Sequence, residues 1–448
     1  MTRFDVLRSV RGVGAVLWLP LVVGGAISCH KGTSAATEAA QTSGTLIVTV
    51  VTPAATFPNV TISGPSAFDV AIAGTDTLID LGAGKYTVAA LTVASTDEVV
   101  STVYTGVVTG SPVTVTIDDT SQASVAYTAR PGTGGLWVAS SNGGSPIAAL
   151  YSSGELRANQ SAGVSVSVAD AYAVIDADGD LWIASRTGNT LTEYLSAQLA
   201  SSGTPQPAVT ISGSGLNGPD GLAFDPSGNL WVSNAAGNTV VEYAAQQLTA
   251  TGSPAPAIAI TGSALSGPAR LSFDVSGNLW VPNPGANTVV QFSAAQLQTG
   301  GTLAPVITIT AIDGSLDSPQ AVAFDTDGDL WVANLSASMI VEYSPGQLLV
   351  GGGVTPAGIL TVAGGGVSLG ALAFDNSGAL WTISVSTSQL LEFTPDQVIA
   401  AGSQPPGLTL AVAAGPNSLA FNPAPDGLPI VSPSALRVAR PAGHVRRR

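Results

Sequence analysis

The sequence contains few residues that can support acid–base, nucleophilic or zinc chemistry. Its 448 residues include one cysteine, Cys29, and two histidines, His30 and His444, all near the ends of the chain. A catalytic triad needs a histidine beside its serine or cysteine, and zinc is bound mainly by histidine and cysteine. The body of the chain is therefore not expected to carry out Ser–His or Cys–His catalysis or to bind zinc in the usual way.

Positive charge is also scarce. The chain has 14 Lys and Arg against 29 Asp and Glu, and from Cys29 to Pro433 six basic residues face 28 acidic ones, a net charge of -22. An acidic body repels phosphate backbones, which excludes nucleic acid as its partner. Five arginines lie in the last twelve positions, so we predict a basic, disordered tail over residues 434–448.

The N-terminus has the pattern of a secretory signal. Three arginines (Arg3, Arg8 and Arg11) precede an apolar run over residues 12–27, which is too short for a comfortable membrane-spanning helix. The run ends in Ala-Ile-Ser-Cys, which resembles the lipobox of bacterial lipoproteins. That resemblance implies removal of residues 1–28 and acylation of Cys29.

Acylation would also explain why Cys29 is the only cysteine, because a lone exported thiol is exposed to oxidation. An ordinary cleaved signal with an incidental cysteine is the alternative. No Asp follows Cys29, so the resemblance implies an outer-membrane lipoprotein, and we expect a cell-envelope or extracellular location. Residues 29–43 are predicted to be a flexible tether.

Residues 44–128 contain eight short runs in which apolar and polar residues alternate. This pattern predicts an antiparallel β-sandwich. The segment LGAGKYTVAA (81–90) resembles the corresponding part of Ig-like and PEGA-like modules of bacterial envelope proteins, which implies a spacer or adhesive unit.

The rest of the chain repeats with a period of 45 to 51 residues, marked by tryptophans. A period of this length predicts a propeller or a solenoid. The repeated tryptophans are Trp137, Trp182, Trp231, Trp280, Trp331 and Trp381.

Each repeat resolves into four strands, which is what a propeller blade needs. In one repeat they are GLAFD (221–225), NLWVS (229–233), TVVEY (239–243) and PAIAI (256–260). We expect the proline of each fourth strand to open it, since proline lacks the N–H that a central strand donates. These prolines are Pro207, Pro256, Pro305, Pro356 and Pro406.

The two ends of the repeat region complement each other. The Trp137 repeat has no first strand, and SLAFN (418–422) is a first strand without a completed repeat. The sequence therefore predicts an all-β protein with an N-terminal Ig-like β-sandwich and a six-bladed β-propeller over residues 135–433. A seventh blade that uses LPIV (428–431) is the alternative.

The phrase FDPSGNLWVSN…GNTVVEY (224–243) and its repeats resemble NHL repeat proteins and the SMP-30-like and streptogramin-lyase-like propellers. The lyases use a propeller histidine, which this chain lacks. An SMP-30-like lactonase would need Glu, Asn and Asp around a divalent metal in the channel. The glutamates of the repeats occupy one shared strand position, which indicates a structural environment. They are Glu193, Glu242, Glu342 and Glu392.

Two segments, DADGD (176–180) and DTDGD (325–329), look like calcium loops. Their aligned equivalents are DPSGN, DVSGN and DNSGA, which carry less charge. We therefore interpret all five as hairpin turns, where Asp starts the turn and Gly supplies positive φ. No cofactor is expected, and adventitious calcium is the alternative.

A ligand site is expected where the repeats differ, at the mouth of the channel. Five residues before each Asp or Asn that ends a first strand, the repeats have Ala171, Asp220, Ala269, Gln320, Gly370 and Asn417. Beside this ring lie Arg270, Tyr172 and Ser418. We predict that Asp220, Arg270, Gln320, Asn417 and Tyr172 bind a polar ligand; solvation of channel waters is the alternative.

Together these features predict a lipid-anchored envelope protein that acts as a non-enzymatic binding or scaffold module. Its partner would be a polar ligand, an envelope polysaccharide or a protein. The alternative is a metal-dependent, lactonase-like hydrolase of the SMP-30 type, with Asp220 and Asn417 on the metal. A purely architectural role is the third hypothesis.

Overall fold

The computed structural model describes residues 43–53, 58–94, 102–129, 134–213 and 215–422. Cys29, the predicted signal and tether, the LPIV segment and the predicted tail lie outside these ranges. The described chain is all-β, and its α-helices are Ser153–Arg157, Pro345–Val350 and Pro395–Ala400. Its short 3-10 helices are Pro65–Ala67, Asn142–Gly144, Ser196–Leu199, Ala245–Gln247 and Gln296–Gln298. Within the described ranges, no helix has the length and apolar character to span a membrane.

The N-terminal part forms two sheets. In spatial order, the five-stranded sheet contains Asp76–Gly82, Ser43–Val51, Thr120–Ala129, Val103–Thr109 and Val93–Ala94. The four-stranded sheet contains Phe68–Ile72, Val60–Gly64, Gly84–Ala90 and Val113–Val115. All eight predicted runs therefore contain a strand.

The two N-terminal sheets share one apolar core because their strands alternate buried and exposed residues. Leu46 and Val48 face Val60, Ile62 and other aliphatic side chains inside this core. The expectation of purely antiparallel pairing is wrong at one place: Ser43–Val51 pairs in parallel with Thr120–Ala129. The first and last strands of this part run side by side in the same direction, which a local sequence pattern does not reveal.

The repeat region forms six sheets among the described residues. Counted from the first to the fourth strand, sheet 1 contains Pro416–Asn422, Gly135–Ser140, Ile147–Ser152 and Val164–Ser167. Sheet 2 contains Tyr172–Ile175, Leu181–Ser185, Thr190–Tyr194 and Val209–Ser212, and sheet 3 contains Pro219–Phe224, Leu230–Asn234, Thr239–Tyr243 and Ile258–Thr261. Sheet 4 contains Ser272–Phe273, Leu279–Asn283, Thr288–Phe292 and Ile307–Ala311. Sheet 5 contains Pro319–Phe324, Leu330–Asn334, Met339–Tyr343 and Gly358–Val362, and sheet 6 contains Leu369–Phe374, Leu380–Ser384, Gln389–Phe393 and Leu408–Ala411.

Sheet 1 joins the two ends of the repeat region. Pro416–Asn422 pairs antiparallel with Gly135–Ser140, with Ser418 opposite Ala139 and Asn422 opposite Gly135. The predicted pairing of the last LAFN segment with the Trp137 strand is therefore present.

The repeated tryptophans connect each sheet to the next. Trp182 in sheet 2 packs edge-on against Phe224 in sheet 3, with ring centroids 6.2 Å apart. The same contact recurs around the region, and Trp381 reaches Phe421 of the C-terminal strand. Aromatic pairs of this kind contribute roughly 0.5–1.5 kcal/mol beyond the burial of their surface. At the remaining junction Trp137 shares a core with Ile175, which stands where the other sheets have Phe.

The prolines near the fourth strands lie before these strands and do not open them. Pro256, for example, is two residues before Ile258–Thr261. The residue after it, Ala257, donates its N–H to the Glu242 carbonyl at 2.9 Å, and the four other repeats with this proline do the same. Proline cannot donate this bond, so the ladder starts at the next residue.

Short extra strands, which the sequence analysis did not predict, join neighbouring sheets at the rim. Gly301–Thr302, Gly352–Val354 and Gly402–Gln404 each pair in parallel with the fourth strand of the preceding sheet. At these three sheets a neighbouring repeat therefore covers an edge that would otherwise expose unpaired backbone groups.

Candidate functional site

A cavity of about 170 Å³ lies between the first strands of the six sheets. Every sheet contributes residues to its wall, which is mostly Ala, Val, Leu and Phe. First strands surround one cavity and fourth strands lie farthest from it, so the sheets are arranged radially. The repeat region is a β-propeller.

Asp220 is the carboxylate at the polar end of this channel. It belongs to the strand Pro219–Phe224, and 5% of its surface is exposed. Its Oδ2 accepts a hydrogen bond from Arg186 Nη1 at 3.0 Å, and its Oδ1 lies 3.9 Å from Arg270 Nη2. One buried carboxylate therefore faces two guanidinium groups.

Arg270 lies across this polar end. Its guanidinium carbon is 5.4 Å from the centre of the Tyr172 ring, within cation–π range. Its Nη1 donates to Gln320 Oε1 at 3.4 Å, and 16% of the side chain is exposed. Arg270 thus links three sheets of the propeller.

The sequence of sheet 4 explains how the Arg270 backbone reaches this place. Pro282 stands in the second strand where sheets 3 and 5 have Ser233 and Ala333, and it has no N–H to donate to the first strand. The first strand of sheet 4 is accordingly reduced to Ser272–Phe273. The backbone of Arg270 instead bridges to Ala321 of the next sheet.

Gly221 allows the close approach of this backbone from the other side. A Cβ at residue 221 would lie 2.5 Å from the carbonyl oxygen of Ala269 and 2.7 Å from Cα of Arg270. A side chain here would push the Arg270 segment away, so the glycine is required for contact and not for a turn.

Arg186 is a member of the cluster that the sequence analysis missed. It directly follows the second strand Leu181–Ser185, and its backbone N–H donates to Asp170 Oδ2 at 3.0 Å. Its side chain hydrogen-bonds Tyr172, and 49% of it is exposed. The sequence signal that could have identified Arg186 is the scarcity of basic residues, because it is one of only four in the described ranges. It also lies on a loop at the channel mouth.

Tyr172 stays protonated in this environment. Burial raises the pKa of its hydroxyl, and the charge of Asp220 acts in the same direction, while the hydrogen bond to Arg186 opposes them. We call Tyr172, Arg186, Asp220, Arg270 and Gln320 the mouth cluster.

Four of the five predicted ligand-binding residues belong to the mouth cluster, and Asn417 does not. No hydrogen bond or ion pair within the described ranges joins Asn417 to it, although the strand Pro416–Asn422 lies beside the channel. The adjacent Ser418 has a structural role, since it donates to the Ala171 carbonyl at 2.9 Å and accepts from Ala173 N–H at 2.8 Å.

This arrangement disfavours a divalent metal on Asp220. Two guanidinium groups lie beside the carboxylate and would repel a divalent metal ion, which brings no negative charge of its own, and no hydrogen bond among the described residues joins Asn417 to this carboxylate. The metal set of a lactonase is therefore not assembled at the mouth from the described residues.

The five Asp-rich or Asp-started hairpins form a common turn. In each, Asp Oδ1 accepts two backbone N–H groups, and Oδ2 accepts the indole N–H of the repeat's tryptophan at 2.9 to 3.2 Å. Asp274, for example, binds the N–H groups of Ser276 and Asn278 and Nε1 of Trp280. This geometry agrees with the interpretation of these segments as hairpin turns.

One of these turns carries extra charge. Single carboxylate oxygens of Asp176, Asp180 and Glu193 lie within 4.8 Å of one another. Burial, with the nearby Asp180, Asp176 and Asp178, raises the pKa of Glu193 to about 7. Such an oxygen set fits calcium by its chemistry, so adventitious calcium stays the alternative to a site without a cofactor.

The chain matches no family profile and no curated protein by sequence. Among solved structures it is similar to a streptogramin B lyase, with 13% identity and a TM-score of 0.44, covering 65% of this chain and 88% of that one. It is similar to a Bacteroides caccae protein of unknown function at 11% identity and a TM-score of 0.47, covering 64% and 98%. A nidogen/laminin complex is matched at 12% identity and a TM-score of 0.47, covering 64% and 97%. These similarities concern the fold alone.

Proposed function

We propose that this chain is a lipid-anchored, non-enzymatic envelope protein that binds a polar ligand at the mouth of a six-bladed propeller. Cys29 carries the lipid, and the N-terminal Ig-like sandwich is the spacer between membrane and propeller. Pairing of Pro416–Asn422 with Gly135–Ser140 and the cavity shared by six first strands support the blade number.

The observation that carries the binding proposal is a pair of unsatisfied atoms in the mouth cluster. Asp220 Oδ1 and Arg270 Nε are both buried, and neither has a hydrogen-bond partner. A buried polar atom without a partner costs about 1–3 kcal/mol, and such atoms are rare in folded proteins. A ligand with its own donor and acceptor would satisfy both.

The scarcity of catalytic groups supports binding over turnover. The chain's histidines and its cysteine lie far from the mouth cluster in sequence. Asp220 pairs with arginines, and among the described residues no set of metal ligands surrounds it. The cluster can recognise charge and hydrogen-bonding pattern, but its groups do not form a nucleophile with a base.

Binding is tested with soluble envelope polysaccharide fragments and fluorescently labelled envelope proteins against the mature chain. We expect saturable binding that Arg270→Ala or Asp220→Ala abolishes. Arg157→Ala, which removes an arginine near Glu392 at the sheet 1–sheet 6 junction, is the matched control and should bind normally. Absence of binding to every envelope fraction would refute the proposed function, as would chelator-sensitive lactone hydrolysis.

The anchor is tested separately by labelling cells with a radioactive fatty acid. The wild-type chain should incorporate the label and fractionate with membranes. Cys29→Ser should lose both properties, and equal labelling of that variant would refute the lipid anchor.

A further inference from the structure

We propose that the ligand of the mouth cluster is an apolar α-amino acid, or a molecule with the same zwitterionic head and aliphatic side chain. This inference rests on the proposed function and narrows it to a ligand class. The carboxylate would bind Arg270 and Arg186, the ammonium would bind Asp220, and the side chain would enter the channel.

The first argument is hydrogen-bonding complementarity. Asp220 Oδ1 needs a donor and Arg270 Nε needs an acceptor, and both residues line the channel cavity. Oδ1 of Asp220 lies 3.9 Å from Nη2 of Arg270, so one small ligand head can contact both side chains from neighbouring atoms. An α-ammonium beside a carboxylate has this arrangement, because one carbon separates the two charged groups.

The second argument is charge. Two guanidinium groups share the single carboxylate of Asp220 at the mouth, while Tyr172 and Gln320 are neutral. Asp170 binds the backbone of Arg186 at the edge of the cluster. A ligand carboxylate would be held by charge-assisted hydrogen bonds, which are stronger than neutral ones, and half-exposed Arg186 can reach it from the solvent side.

The third argument is the wall of the channel below the cluster. It is lined by aliphatic side chains from several sheets, among them Val174, Leu222, Leu271, Val322 and Leu419. Its volume of about 170 Å³ resembles that of the apolar protein cavities of roughly 150 Å³ that bind benzene. A leucine-sized side chain fits such a space, and a sugar would leave its hydroxyls without partners there.

The test compares ligands that each lack one part of the proposed molecule. Calorimetric titration of the mature chain uses L-leucine, isoamylamine without the carboxylate, 4-methylpentanoate without the ammonium, glycine without the side chain, and the neutral sugar maltose. We expect L-leucine to bind at least about tenfold more tightly than every other probe, as expected when one charged contact or a side chain is lost.

Two variants assign the charged groups to their partners. Asp220→Asn should weaken L-leucine at least about tenfold while leaving 4-methylpentanoate unchanged or tighter, because the ammonium partner is lost and the carboxylate partners remain. Arg270→Met should weaken L-leucine and 4-methylpentanoate and leave isoamylamine unchanged or tighter, because a carboxylate partner is lost and a positive charge beside Asp220 is removed. Leu271→Phe, which narrows the channel, should weaken L-leucine and spare glycine.

Unfolding curves of each variant establish that it is folded, and Arg270→Lys provides a second variant that keeps the charge. Isoamylamine or 4-methylpentanoate binding as tightly as L-leucine would overturn the inference. Binding of maltose alone at the mouth would overturn it and leave the proposed function standing. If none of the probes and no envelope fraction binds, both proposals fail.

Discussion

The hairpin turns and the mouth cluster use polar side chains in opposite ways. In the turns, five equivalent aspartates each satisfy two backbone N–H groups and one indole N–H, and the arrangement recurs from sheet 2 to sheet 6. At the mouth, the polar residues occur once each and leave Asp220 Oδ1 and Arg270 Nε without partners. We interpret the repeated, satisfied turns as elements of folding and the unique mouth cluster, with two charged side chains that keep an unpartnered atom, as the site of recognition.

The largest effect is expected from opening the propeller. A chain that ends after Gly415 loses the strand Pro416–Asn422 and the buried side chains of Leu419 and Phe421. Each such side chain contributes roughly 2–5 kcal/mol, so we expect the propeller to lose its cooperative urea unfolding.

A chain that ends after Asn422 is the control for this truncation and should unfold like the full chain. If the shorter chain unfolded at the same urea concentration as the control, the C-terminal strand would not close the propeller. If the control itself were strongly destabilised, the alternative with a seventh blade would gain support.

The second effect is expected at a repeated turn. Asp274→Ala removes the acceptor for two backbone N–H groups and for Trp280 Nε1, and should lower the free energy of unfolding by about 2–4 kcal/mol. Ser276→Ala in the same turn changes a side chain outside this hydrogen-bond set and should stay within about 0.5 kcal/mol of the parent. Equal effects of the two substitutions would contradict a structural role for the aspartate.

The third prediction concerns the pH dependence of folding stability, in which sheet 2 should differ from its neighbours. The raised pKa of Glu193 means that this group stabilises the fold fully below pH 4.5 and loses that contribution as the pH rises through about 7. Glu193→Gln should therefore gain stability relative to the parent between pH 5 and 8, as measured by thermal unfolding.

Glu242→Gln is the matched control in sheet 3. Burial raises the pKa of Glu242, and the negative charge of Asp225 adds to this effect. Asp225 also accepts a hydrogen bond from the Asn229 side chain. Its pH dependence should be weaker, and identical profiles for the two variants would contradict the role of the three-carboxylate set. Calcium at pH 8 should stabilise the parent and not Glu193→Gln if the ion binds there.

The repeat pattern was sufficient to predict the four strands of each repeat because the same apolar segments and turn signals recur at a nearly fixed spacing. The Trp137 repeat and the LAFN segment were each incomplete, which predicted their pairing. The parallel strand pairs, within the N-terminal part and at the rim, were missed because neither leaves a local signal.

The mouth cluster was predicted in part for a related reason. Four of its residues differ from their equivalents in the other repeats at the start of the first strand: Tyr172, Asp220, Arg270 and Gln320. Arg186 instead follows a second strand, outside the ring of positions from which the site was predicted. Asn417 occupies an equivalent position in sequence, but no hydrogen bond or ion pair among the described residues joins it to the cluster. Which unique residues meet depends on side-chain direction and on the shortened strand beside Pro282, and both are set by the folded sheets.

The most direct test of the division between folding and recognition is the stability of a double variant, Asp220→Leu with Arg270→Met. Replacement of a buried ion pair by apolar side chains is often neutral or stabilising, so we predict a free energy of unfolding within about 1 kcal/mol of the parent, or higher, with ligand binding lost. A loss of more than about 2 kcal/mol, as large as that of Asp274→Ala, would contradict the account and make the mouth cluster part of the structural core.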